Sequence, residues 1–293
     1  GLDTTNASSV DTANIHNELN AYLKSQQAGS GREDKQVTSS MNNVALPANN
    51  DASNPNQTYG AETIIANGNT DASTSSVMGY NRNQTSISSS SLSSSRAIEE
   101  VSVHITFHDE YNMLERLAPE TRMPYLALCT QLLRQALTEL LKQPLLLGVS
   151  AINDPYFDEN GALVTLKADN SHAKVALAGV MLAKLYLMLN KIIHDKHIEL
   201  TRFALPAKVG VSDEAQTDAM TQLLNSVSKK EQMLILLPNA GLKQIGSYVQ
   251  VQSVKRPTTV YERECAVFDG GSDAMMQRLA EVRNSVLTTE SNG

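Results

Sequence analysis

The sequence predicts an α+β domain with an antiparallel-containing sheet and helices packed on one face, preceded by a long polar leader. The first observation behind this is a change of character just before Val101. Upstream the chain is Ser, Thr, Asn, Gln, Ala and Gly with scattered charges; downstream it is regularly patterned. The second is strict alternation in the segment that follows, where Val103, Ile105 and Phe107 interleave with His104, Thr106 and His108. That is the period-two signature of a strand with one buried face. The third is the order of the elements beyond it, which reads β-α-ββ-α-β-α-β and favours an antiparallel-containing sheet over a doubly wound parallel one.

Residues 1–97 read as a low-complexity, disordered tether. Ile15, Leu19, Tyr22 and Leu23 allow two or three helical turns over 15–26, but from 28 to 96 nothing recurs at a period of two or 3.6, and 86–95 is almost entirely Ser. Such a segment buries too little apolar surface to offset the entropy of ordering it. Its expected role is a flexible link.

Residues 98–290, about 190 in all, suffice for one domain with a sizeable core. After the first strand, Met113, Leu114 and Leu117 precede Pro119, and a leucine-rich amphipathic helix is expected over 125–142. Apolar runs at 145–152 and 162–168 flank the turn formers of 153–161, predicting a long hairpin. Asn170 or Ser171 is positioned to cap a helix reaching about His194, apolar on most sides. A strand region over 198–211 follows, kinked at Pro206. Then come a helix from Asp213 through Val227, a short strand at 233–237 and one helical turn at 242–245. A terminal hairpin is expected from 248–254 and 258–268, and a last helix over 273–287.

Bulk properties exclude several function classes. The formal net charge of −7 argues against a nucleic-acid partner, which needs a cationic surface, and against a polybasic membrane-surface domain. Cys129 and Cys265 are far apart and lack metal-ligand spacing, so buried reduced thiols and a cytoplasmic setting are expected. No run of eighteen apolar residues occurs; 175–193 is interrupted by Lys184, Asn190 and Lys191 and reads as a core helix. The chain begins with Gly, so membrane segments are expected upstream of it.

At this level the order of elements resembles the catalytic domain of class III nucleotidyl cyclases, a ferredoxin-like arrangement with additions, and more distantly the diguanylate cyclase domain. The first strand of these cyclases ends in Phe-x-Asp, whose Asp binds a metal; here Phe107-His108-Asp109 stands in that place, followed by Met113-Leu114-Glu115-Arg116-Leu117 where the family has its first helix. Lys208-Val209-Gly210-Val211-Ser212 looks like the family's basic-Ile-Gly-Ile-His strand. Gln222-Leu223-Leu224 and Gln232-Met233-Leu234-Ile235-Leu236 look like its late helix and short strand. The resemblance covers roughly 101–254.

Departures from the family are equally visible. The Gly-Asp turn that supplies its second metal carboxylate is absent, and Asp154 and Asp158 sit in a longer loop. Thr221 and Gln222 occupy the approximate places of the family's transition-state Asn and Arg. Phosphoryl and nucleotidyl transfer depends on metal and cation placement, so these losses imply loss of turnover. A polar tether ahead of a degenerate cyclase-like domain also resembles certain bacterial inner-membrane proteins with a cytoplasmic tail, some described as haemolysin-expression regulators.

The candidate residues follow from these readings. Asp109, with Asp154 and Asp158, forms the candidate divalent-metal set. His104, Thr106 and His108 share the less hydrophobic face of the first strand, where cyclases meet a partner subunit. The two histidines are about 13 Å apart along the strand, too far to share one metal. The expected function is a catalytically silent signalling or dimerisation module without a cofactor, tethered to the cytoplasmic side of a bacterial inner membrane and working as a homodimer or with a protein partner. The alternatives are a nucleotide-sensing domain and a divergent metal-dependent cyclase using Asp109.

Overall fold

The computed structural model describes residues 97–196 and 203–288. The expected helix at 15–26, the expected disorder of the leader through residue 96, and strand residues 198–202 lie outside the described residues. The described elements begin with β1 (Glu100–Phe107), the one-turn helix α1 (Met113–Arg116) and the long helix α2 (Pro119–Leu140). A hairpin of β2 (Val149–Ala151) and β3 (Ala162–Ala168) leads to α3 (Val175–Asp195) and β4 (Ala207–Asp213). They continue with α4 (Thr217–Ser226), β5 (Met233–Leu236), α5 (Asn239–Ile245), β6 (Val249–Ser253), α6 (Val260–Glu264), β7 (Ala266–Gly271) and α7 (Asp273–Thr288).

The strands form one sheet in the order β2-β3-β1-β4-β5-β7-β6. β1 lies between β3 and β4, antiparallel to both, and β2 pairs antiparallel with β3. With α2 and α3 as the connections, this is the split βαβ of a ferredoxin-like unit. β5 joins β4 in parallel through α4, and β7 and β6 extend the sheet antiparallel. The expected α+β class and its antiparallel-containing sheet are therefore observed.

Alternation in β1 assigns the two faces. Val101, Val103 and Ile105 are fully buried and join Val164, Leu166, Val209, Val211 and Ile235 in the main core beneath α2, α3 and α7. α3 is buried on nearly every side. It has the length and apolar composition of a membrane span, yet 78% of its most apolar window is buried inside the fold, as a core helix requires. Each buried Leu or Val contributes about 1.5–3 kcal/mol of transfer free energy, so α3 dominates the hydrophobic stabilisation. On the opposite face α4 builds a smaller core from Ala219, Met220, Leu223 and Leu224 against Leu234, Leu236 and Cys265.

An aromatic and polar cluster fixes the approach to β4. Tyr125, Phe107, Phe157, Phe203 and Tyr186 make successive ring contacts at centroid separations of 5.2–5.9 Å. Within it the Leu205 N–H donates to the Tyr125 hydroxyl at 3.0 Å, and Asn190 Nδ2 donates to the Leu205 carbonyl at 3.0 Å. One residue outside any ladder thus has both its backbone N–H and its C=O satisfied by side chains, one from α2 and one from α3, as buried backbone groups must.

Several local expectations are corrected. α2 begins at Pro119, because Pro119 occupies the first helical turn where its missing N–H costs nothing, and Pro124 is accommodated early in the helix. Neither Asn170 nor Ser171 caps α3. Asn170 Oδ1 instead accepts from His172 N in a tight turn, and Gln244 Oε1, from α5, accepts from Ala176 N at 3.0 Å. β4 runs through Asp213, so α4 starts later, at Thr217. Residues 258–265 do not continue a strand. Thr259 Oγ1 accepts from Glu262 N while the Glu262 carboxylate accepts from the Thr258 and Thr259 hydroxyls, a capping box that nucleates α6 between β6 and β7. Those bonds, that from Thr259 foremost, hold the Glu262 carboxyl below its ordinary range.

Two substitutions test this packing. A Cβ on Gly179 would lie 2.7 Å from Val101 Cγ1 and 3.1 Å from Val211 Cγ1, so α3 approaches the sheet where only glycine fits. Gly179→Val is expected to destabilise the domain by about 1–3 kcal/mol through overpacking; an unchanged or higher urea midpoint would contradict the close approach. Tyr125→Phe leaves the buried Leu205 N–H without its acceptor and is expected to cost about 1–3 kcal/mol in the same assay.

Candidate functional site

The C-terminal end of β1 is where the sequence placed its candidate metal ligands. The strand closes with His108 N donating to the Pro206 carbonyl at 2.7 Å, and the chain then turns into α1. Asp109 performs that turn. Its Oδ1 accepts from Met113 N at 2.8 Å and its Oδ2 from Leu114 N at 2.9 Å, so both carboxylate oxygens satisfy first-turn amides of α1. This is a helix cap, favoured further by the negative charge at a helix N-terminus. His108 Nε2 lies 3.1 Å from Glu110 Oε1.

The other two acids lie in the β2–β3 loop. That loop is held to α2 by Thr130, whose hydroxyl accepts from Phe157 N at 2.8 Å, and by Arg134, whose Nε donates to the Pro155 carbonyl at 2.8 Å. The same guanidinium pairs with Asp154 at 3.1 Å. Asp158 Oδ1 accepts from Asn160 N at 2.8 Å and shapes the turn. The turn closes on Gly161, whose φ of +103° and contact with the Ile105 carbonyl leave no room for a side chain. Asp109, Asp154 and Asp158 therefore each have a local structural partner. Among the described residues no three metal-ligating side chains come together. Between α2 and this loop runs an open groove of about 650 Å³, walled by Met123, Leu126, Ala127, Tyr156 and Phe157.

The second candidate set lies on the face of β1 turned toward α4. His104 is buried, and its Nδ1 lies 3.3 Å from the Thr221 hydroxyl. Ser102 accepts a hydrogen bond from Thr217 Oγ1 at 3.0 Å, one helical turn earlier. Thr106 donates to the Lys208 carbonyl. Lys208 Nζ donates to the Leu224 carbonyl at 3.0 Å and so caps the C-terminal end of α4; burial lowers its ammonium from the usual lysine range. Burial likewise holds the His104 imidazole below its ordinary value, outweighing the opposite influence of Asp218. The expected sheet-face triplet is split. His104 is covered by α4, Thr106 is used by the neighbouring strand, and His108 lies beyond the strand end. Farther along the same face, on β3 and the β2 end, Leu163 and Ile152 are exposed.

Sequence reasoning missed Thr217, Asp218 and Arg134. Thr217 and Thr221, four residues apart on the helix face that carries Met220 and Leu224, were a readable sign that α4 lays polar groups on the polar side of β1. Arg134 gave none, because its partners are a backbone carbonyl and a loop carboxylate. Both thiols are buried and unpaired, and burial pushes each up to about 12.

Solved structures similar to this chain include guanylyl cyclase domains. The guanylyl cyclase domain of the RhoGC fusion protein from the aquatic fungus Blastocladiella emersonii, a monomeric double mutant, aligns at 12% identity and a TM-score of 0.44, over 60% of this chain and 98% of that one. The guanylyl cyclase Cya2 aligns at 16% identity and a TM-score of 0.39, over 60% of this chain and 96% of its own. No family model and no curated protein matches the chain.

The role of Asp109 is testable by stability. Asp109→Ala removes the acceptor for two first-turn amides and is expected to lower the unfolding free energy by about 0.5–2 kcal/mol. Asp109→Asn, which keeps one acceptor oxygen, should lose less. Equal stability of all three proteins in denaturant would exclude the capping role.

Proposed function

We propose that this chain is a non-catalytic, cyclase-like signalling module that acts by association with a second copy or another protein. The observation that carries the reading is the double commitment of the Asp109 carboxylate to Met113 N and Leu114 N, with Asp154 engaged by Arg134 and Asp158 by its own turn. Nucleotidyl transfer needs carboxylates converging on a metal and a cation placed at the transferring phosphoryl group. Here the acids are structural, and Lys208 is spent on the end of α4. The exposed Leu163 and Ile152, beside the covered part of the sheet, offer apolar surface for association.

A cytoplasmic location fits the two buried, unpaired thiols. In the same reading the Ser/Asn/Thr-rich stretch 1–97 links the domain to a bacterial inner-membrane portion of a longer protein, in the manner of the haemolysin-expression regulators.

The test is a thermal-shift titration with ATP, GTP and their cyclic products, with and without Mn²⁺. Saturating ligand at about 100 times its Kd would add roughly 2.7 kcal/mol of stability. The expected outcome is no metal-dependent shift and no cyclic product, together with a concentration-dependent mass in sedimentation. A metal-dependent shift that disappears in Asp109→Asn would falsify the silent-module reading.

A further inference from the structure

The polar face of β1 is closed by a single helix of ten residues, α4, whose apolar hold is the small core of Ala219, Met220, Leu223 and Leu224. Beneath that helix sits a buried imidazole. His104 is 8% exposed, lies opposite Leu163 on β3 and Gly210 on β4, and meets α4 through Thr221. At Gly210 α4 lies close against the sheet, since a Cβ there would meet Met220 and Leu224. The main core, with α2, α3 and α7, lies wholly on the other side of the sheet. Movement of α4 away from the sheet would therefore expose the small core it shares with Leu234, Leu236 and Cys265 and leave the main core covered.

We propose that His104 is a pH-operated latch for α4: proton uptake by the imidazole loosens the helix and uncovers the β1–β4 face beside the exposed Leu163 and Ile152.

The geometry sets the direction. A buried neutral imidazole is compatible with the closed face, whereas an imidazolium must be charged out of water, which is costly unless paired. By register, Lys208 on β4, Lys167 on β3 and Glu100 on β1 share the His104 face, while α4 carries Asp218 and the 3₁₀ turn before it carries Glu214. Of these, Asp218 favours the imidazolium, but its effect is smaller than that of burial. Lys208 is turned to the Leu224 carbonyl, and Lys167 to Asp169 at 3.8 Å. Because burial holds the closed-state imidazole below its ordinary 6.5, the open state binds more protons than the closed one. The closed state is therefore fully favoured above pH 6.5 and loses ground as pH falls from 6.5 toward the closed-state value. Over that interval the opening equilibrium rises by as much as tenfold per pH unit.

Hydrogen exchange on the full chain between pH 7.5 and 5.5, corrected for intrinsic rates, tests the latch. Amides of α4 are expected to lose protection by up to tenfold per unit below about pH 6.5 while those of α3 hold theirs. In His104→Gln, which takes up no proton, α4 protection should be independent of pH. Parallel loss in α4 and α3, or unchanged pH dependence in His104→Gln, overturns the proposal. Should His104→Gln fail to fold, the imidazole resonances of the unaltered protein decide. Titration of His104 below 6.5, coupled to shifts in α4, supports the latch, and titration at or above 6.5 overturns it.

Discussion

Everything in this fold is referred to the alternation of β1. Its odd-numbered side chains, Val101, Val103 and Ile105, are the floor on which α3 lies, and its even-numbered ones, Ser102, His104 and Thr106, meet α4 and β4. A slip of one residue in its pairing would exchange the two sets, burying hydroxyls and an imidazole beneath α3 and presenting three branched aliphatics to the polar side. The antiparallel ladders to β3 and β4 hold that register from both edges, so the placement of two helices on opposite faces follows from one strand.

The two faces differ in how firmly they are covered. On one, α2, α3 and α7 enclose a continuous core that contains Phe157 and against which the other three phenylalanines pack, and Leu205 is held at both its backbone groups by side chains from two of those helices. On the other, one short helix is held by a few aliphatic contacts, two threonine hydroxyls and a lysine at its C-terminal end. The β2–β3 end of that face is left bare. Stability thus resides on the first face, and any capacity for rearrangement on the second.

The elements most readable from sequence were those whose burial pattern matches a single period. β1 announced itself by alternation, α3 by a nearly unbroken apolar run, and α7 by Met275, Met276, Leu279, Val282 and Val286 at helical spacing. The unreadable parts depend on partners distant in sequence. The cap of α3 comes from Gln244, sixty-eight residues away, which no local motif discloses. α6 was obscured because Val260 and Tyr261 continue an apolar-looking stretch, although Thr259 and Glu262 carried a capping-box signal. For the candidate site, the sequence placed Asp109 at a strand end and Asp154 and Asp158 in a turn, and the fold has them there. What sequence could not show was that Asp109 is satisfied by amides four and five residues ahead, and that Asp154 faces an arginine of α2.

The burial of both cysteines has a practical side. With each thiol held near 12, and only two cysteines in the chain, the folded protein presents no reactive thiolate at neutral pH. A single cysteine introduced on the surface would be the one nucleophile that maleimide or disulfide-forming reagents find. Cys129 in the main core and Cys265 in the small one would become labelled only as their own cores open. The native chain thus carries two internal reporters, one for each face of its sheet.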